Sequence, residues 1–109
     1  MDTTQLLKGV LDVAVLAVIE QDDGYGYDVV RRLRAAGLDE VAEASVYGTL
    51  RRLFTAGLLT SYVVASDAGP HRKYYGLNDA GRAQLAEAIG VWKQFVKTMD
   101  NVLTKEQAA

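Results

Sequence analysis

The side chains able to do chemistry in this chain fall into two short cationic clusters. Ser45, Tyr47, Thr49, Arg51 and Arg52 lie in one stretch, and His71, Arg72 and Lys73 in another. Guanidinium and ammonium groups at this density suit phosphate, and the hydroxyls among them suit phosphate oxygens or base edges. The same residues serve catalysis poorly. His71, the only histidine, stands beside Arg72 and Lys73, a poor place for a buried base; there is no cysteine and no histidine partner for a metal site, though carboxylates alone could hold a weak ion. No glycine-rich phosphate loop occurs either. The expectation is double-stranded DNA as partner, with no catalytic residue, no metal and no cofactor.

The first cluster needs a helix to present it. On a helical wheel Val46, Leu50, Leu53 and Gly57 gather on one side and must face a core, while Ser45, Gly48, Arg51, Arg52 and Thr55 lie opposite. Ser45 is placed to cap this helix and leave its free amides pointing outward. Gly48 sits at the centre of the polar face. A glycine inside a helix costs about 1 kcal/mol relative to alanine, so a bare spot among arginines implies a surface that something approaches closely.

The average charge, −2, hides a segregation. Residues 1–44 carry nine carboxylates against four cations, whereas residues 45–75 hold Arg51, Arg52, Arg72 and Lys73 against Asp67 alone. A basic face on an acidic body is what a DNA-binding domain requires. At 109 residues with half of them apolar, the chain makes one ordinary domain. The absence of cysteine suits a reducing cytosol, and with no basic leader and no long uncharged run the chain is expected to be cytoplasmic, away from membranes.

Taken in order, residues 5–20 form a helix that is apolar nearly all round and must be covered on more than one side. Part of that cover is expected from a second copy. Gln21 to Gly26 is a polar turn, followed by a helix from Tyr27 to Ala36 with Val29, Val30 and Leu33 inward, Arg31, Arg32 and Arg34 outward, and Gly37 as its stop. The acidic connection Leu38 to Ala44 leads into the Ser45 helix, which gives the layout of a helix-turn-helix. After Gly57, the runs Leu58–Ala65 and Arg72–Leu77 read as strands, and Ser66 to Pro70 between them as a turn. His71, Arg72 and Lys73 then stand beside the tip of a hairpin wing.

Asn78 can cap a last helix from Asp79 to Leu103. Along it Leu85, Ile89, Trp92, Val96, Met99 and Leu103 make a heptad-type seam, with Ala88, Val91, Phe95 and Val102 as a second stripe. Two stripes on one helix call for a partner helix. The tail from Thr104 to Ala109 carries no usable signal. The fold class is therefore mainly α with a small β-hairpin (α+β): a winged helix-turn-helix over residues 1–77 and a dimerisation helix over 78–109, in one compact unit.

Three groups of residues now coincide with a known pattern: Tyr25-Gly-Tyr27; Ser45-Val-Tyr47 with Arg52-Leu53 and Gly57-Leu58; and Arg72-Lys-Tyr-Tyr75 with Leu77 and Gly81-Arg82. In these the chain resembles the PadR family of bacterial transcription regulators, in its shorter form with a single C-terminal helix. The resemblance implies a winged helix-turn-helix homodimer, usually a repressor, that binds palindromic operators. It places Tyr47 near DNA and makes Arg72 and Lys73 the basic wing. Gly48 stands where many members have proline, and Gly76 where an arginine is common. Trp92 matches the tryptophan with which multidrug-binding members hold flat aromatic compounds at the dimer interface, and Leu6, Val10, Val13, Ile89 and Val96 match its neighbours. Val96 replaces an acidic residue, so a ligand here would be expected to be a neutral, flat, hydrophobic aromatic. Trp92 filling the dimer seam is the other reading of the same residue.

A winged-helix protein-interaction module without DNA binding is the rival function. It has no need for Arg51, Arg52, Arg72 and Lys73 to converge, and the two readings part on that point.

Overall fold

Where the sequence alternates apolar and polar residues with helical period, helices form. The structure, a computed structural model, describes residues 3–66 and 69–104. It contains four helices and three strands: α1 (Thr4–Gln21), β1 (Gly24–Tyr25), α2 (Gly26–Ala35), α3 (Glu43–Thr55), β2 (Leu59–Val64), β3 (Arg72–Leu77) and α4 (Asp79–Leu103). The strands make one antiparallel sheet in the order β1-β3-β2. Helices and a small sheet in this order are a winged helix with a long C-terminal helix.

The core lies where α1, α2 and α3 meet. Val15, Leu16 and Ile19 of α1 pack with Val29, Val30 and Leu33 of α2 and Val46, Leu50 and Leu53 of α3, closed by Leu59 and Leu85. Val46, Leu50 and Leu53 thus face inward as their spacing predicts. Gly57 does not belong to that stripe. It lies one residue past the helix cap at φ +83°, with its N–H on the Phe54 carbonyl and Leu58 N–H on that of Leu53. Gly37, at φ +115°, closes α2 in the same way. Both positions require the left-handed backbone that only glycine adopts without strain.

The turn expected over residues 21–26 contains a strand. Gly24 and Tyr25 pair with Tyr75 and Tyr74, which turns the expected hairpin into a three-stranded sheet. Two residues are too few to show a period-two pattern, and their partners lie 51 and 49 positions away in sequence. The turn itself is held by Arg32, which donates to the carbonyls of Val18 and Asp22 at the end of α1. Arg34 likewise donates to the Val41 carbonyl and fixes the connection into α3. These two arginines of the expected outward face are half-buried braces. Asp67 and Ala68, the centre of the expected Ser66–Pro70 turn, lie outside the described residues, as do Lys105–Ala109 of the tail.

α4 starts where Asn78 was expected to cap it, with the Asn78 side chain accepting from Gly81 N–H at 2.8 Å and donating to the Gly57 carbonyl at 2.8 Å. Only Gly81 and Leu85 of α4 are buried. From there on it runs against α1 with most of its apolar surface uncovered. Among the described residues no helix is long and apolar enough to cross a membrane.

Candidate nucleic-acid interface

The recognition face of α3 starts two residues before its expected cap. The helix begins at Glu43 after Ala42, which makes no side-chain cap bond, so Ser45 lies inside the first turn and its hydroxyl is exposed. The physical reason is the extended backbone of Ala42 (φ −91°, ψ 140°), which supplies the break that a cap residue needs. Ser45 remains on the outer face beside Gly48 and Arg51. At Gly48 an added Cβ would meet nothing within 4 Å, so the fold of a single chain gives no steric reason for this glycine.

Two residues assigned to that face are otherwise engaged. Thr49 is buried, 3% exposed, on the core side of α3, and has no surface to offer a duplex. It lies on the border between the wheel's two faces, and its hydroxyl accepts from Arg52 at 3.4 Å. Arg52 is turned toward α1, where its guanidinium forms a two-point ion pair with Asp12 at 2.7 and 3.1 Å. The hydrogen bond and charge of Asp12 raise the Arg52 pKa above its already high ordinary value. Arg52 is an interhelical tie, and its partner lies 40 residues away, beyond the reach of local pattern reading.

The remaining cations converge. Tyr47, Leu50 and Arg51 of α3, Arg72, Lys73 and Tyr75 of β3, Tyr25 of β1, and Gly26 and Tyr27 at the start of α2 line one cleft of about 480 Å³. Tyr47 lies directly on Gly26, where an added Cβ would meet its ring at 2.5 Å. Its ring is thus part packing and part surface, 39% exposed. The Arg72 guanidinium sits 4.5 Å over the Tyr25 ring, and the Lys73 ammonium lies 5.3 Å from Phe54 and 5.5 Å from Tyr75. Successive side chains of a strand point to opposite faces, which sends these two neighbours to different aromatic seats. His71 is exposed just before β3. Among the described residues no ion pair includes Arg51, Arg72 or Lys73.

Tyr25 and Tyr27 are cleft residues that charge and wheel arguments miss. The signal was present as the Tyr-Gly-Tyr motif, whose middle glycine makes room for Tyr47. No local rule connects residue 26 to residue 47.

A second surface lies on the far side of α1. Leu6, Val10 and Val13 of α1 and Trp92, Val96 and Met99 of α4 line a groove of about 770 Å³, with Val91 and Phe95 from the second stripe. Ile89 is not among its lining residues and is exposed. Trp92 is 46% exposed and Phe95 54%. The groove also carries a carboxylate, since Glu87 stands on its wall. Among the described residues no cluster of histidine and carboxylate side chains is placed to hold a metal ion.

Comparison with known proteins gives a consistent result. The chain is 38% identical to a PadR-like transcriptional regulator from Bacillus cereus, covering 92% of this chain and 97% of that one with a TM-score of 0.80. It is 32% identical to a transcriptional regulator from Streptococcus, covering 92% and 98% with a TM-score of 0.81. It shares the fold of Bacillus subtilis PadR in complex with operator DNA, at 22% identity and a TM-score of 0.67 over 73% of this chain and 46% of that one. The transcriptional regulator PadR-like family matches residues 15–87, from α1 through the wing into α4, and the chain belongs to this family of regulators.

Proposed function

We propose that the protein is a sequence-specific DNA-binding repressor that works as a homodimer. The observation that carries this reading is the cleft in which Arg51, Arg72 and Lys73, free of acidic partners among the described residues, meet Tyr47. α3 enters the major groove with Ser45, Tyr47 and Arg51 toward base edges and phosphates, and His71, Arg72 and Lys73 of the wing hold the backbone. The solved B. subtilis relative in complex with operator DNA supports the same use of the fold.

Residues 1–77 contact DNA in this scheme and residues 78–109 carry the pairing. The uncovered Leu6, Val91, Trp92 and Phe95 support a second copy packed along α1 and α4, since contiguous apolar surface of this kind marks an interface. Such a dimer acts in the cytoplasm on palindromic operators. A flat aromatic effector seated between the two Trp92 rings would alter the spacing of the recognition helices and release the operator. Glu87 on the groove wall disfavours anionic effectors.

The deciding experiment is fluorescence anisotropy on DNA from immediately upstream of the protein's own gene against scrambled DNA, across a salt series, with the wild type and Arg72→Ala/Lys73→Ala. Specific binding with a salt slope that falls by about one per cation removed supports the reading. Absence of salt-dependent binding at low salt overturns it.

A further inference from the structure

On the outer face of the sheet one hydrogen bond straps the wing to the helical body. Tyr25, Tyr74 and Tyr62 form a row across β1, β3 and β2, fixed by the register Tyr25↔Tyr74 and Tyr62↔Tyr74. Tyr25 meets Tyr74 edge to face at 5.4 Å, and Tyr74 stacks on Tyr62 at 5.7 Å. Gly76, two residues on from Tyr74, lies on the same face. The Tyr62 hydroxyl donates to Asp23 Oδ2 at 2.5 Å. Since β3 separates β1 from β2, Asp23 reaches the outer strand only by crossing over β3. It crosses at Gly76. A Cβ there would meet as its three nearest atoms Oδ1, Oδ2 and Cγ of Asp23, at 2.8, 3.0 and 3.1 Å. The backbone of Gly76 is not left-handed, so the demand for glycine shown at this position is the space for Asp23.

The two ends of the strap differ in support. Asp23 follows the turn that Arg32 clamps to α1 and α2 through the Val18 and Asp22 carbonyls. Tyr62 stands on the last rung that β1 reaches, and beyond the Tyr62–Tyr74 pair the wing is only two strands wide. Two-stranded ribbons are marginally stable alone. Arg72 and Lys73 sit just past that rung, so a wing pivoting there moves both cations off Tyr25 and Phe54.

We propose that Asp23 and Tyr62 are positioning residues for DNA binding: their hydrogen bond, admitted by Gly76, fixes the angle of the wing to α3 and so places Arg72 and Lys73. This rests on the DNA-binding reading above. The bond also holds the Tyr62 phenol protonated, with its pKa pushed up to about 12, chiefly by the hydrogen bond to Asp23.

Tyr62→Phe, Asp23→Ala and Gly76→Ala break the strap at the donor, the acceptor and the passage, and Asp23→Asn keeps an acceptor. The test measures ¹⁵N backbone order parameters at Val63, Val64, Arg72 and Lys73 in the full chain. It also measures DNA affinity in wild-type and Arg72→Ala/Lys73→Ala backgrounds. The three breaking variants are expected to drop the wing from roughly 0.85 toward 0.6, with Asp23→Asn restoring much of the loss. DNA affinity falls about three- to tenfold in the wild-type background and no further where the wing cations are gone. Unchanged order parameters in all three variants, or an equal affinity loss in both backgrounds, overturns the proposal. If the wild type binds no duplex while the order parameters still fall, the DNA reading fails and the strap's hold on the wing stands.

Discussion

Replacing Gly48 with alanine should make the protein more stable and its DNA binding weaker. The position is interior to α3, on its outer face, and a Cβ there meets nothing within 4 Å. No packing penalty offsets the gain in helix propensity, which is about 0.8–1.0 kcal/mol for glycine to alanine. For a chain of this size that raises the melting midpoint by roughly 4 °C or somewhat more, read by circular dichroism at one fixed protein concentration because a dimer's midpoint depends on concentration. The methyl group projects between Ser45 and Arg51, where, on the proposed reading, a groove floor approaches the bare backbone. Operator affinity, measured by anisotropy at constant salt, is expected to fall several-fold, the equivalent of about 1 kcal/mol. A lower midpoint would refute the claim that the space at Gly48 is open. A raised midpoint with unchanged affinity would refute the claim that DNA comes close there.

Arg51→Ala should weaken operator binding by about 1–3 kcal/mol with little change in stability, whereas Arg52→Ala should cost up to about 1 kcal/mol of stability by breaking the Asp12 pair, as denaturant titration will show. Asn78→Ala loses the α4 cap and about 1 kcal/mol; Gly81→Ala should cost about 3 kcal/mol, because its Cβ would lie 2.2 Å from the Leu58 carbonyl oxygen, and equal melting midpoints would contradict this. Phe95→Glu places a charge in the exposed α1–α4 groove and should convert the proposed dimer to monomer by light scattering at micromolar concentration. The Tyr62 phenol has a raised pKa in the folded state, so its bond to Asp23 contributes in full below the ordinary value of about 10 and is lost as pH rises toward about 12. Absorbance titration should show a late ionisation for Tyr62 that Asp23→Ala brings back toward about 10.

Elements with a strong period were legible, and contacts between distant residues were not. α4 runs over the span its spacing predicts, and Asn78 caps it, because a long amphipathic helix carries its own start signal. The family was legible from motifs whose glycines have local or near-local work: Gly57 ends α3, and Gly81 clears the Leu58 carbonyl. β1 was not, since two residues cannot display alternation. The wheel set Val46, Leu50 and Leu53 inward and Arg51 and Arg52 outward, but it did not show that Thr49 is buried or that Arg52 pairs with Asp12 of α1. Ile89 fits the heptad spacing yet lies off the groove, because α4 presents Val91 and Phe95 to it instead.

How a chain of net charge −2 presents a basic face becomes clear from what its arginines touch. Arg32 and Arg34 donate to backbone carbonyls, Arg52 pairs with Asp12, and Arg82 joins Asp79 and the Leu77 carbonyl. These four act as braces at the ends of α1, α2 and β3 and between α1 and α3. Arg51, Arg72 and Lys73 are seated on or beside aromatic rings in the cleft, which leave a cation's charge intact where a carboxylate would cancel it. Counting charge by segment therefore finds the right third of the chain but overstates its charge, since Asp12 from the acidic segment neutralises Arg52. On the proposed DNA-binding reading the cleft contributes three such cations per chain, and a dimer would double them. Binding this lean should respond steeply to the loss of any one of them, and it depends on whatever holds the wing in place.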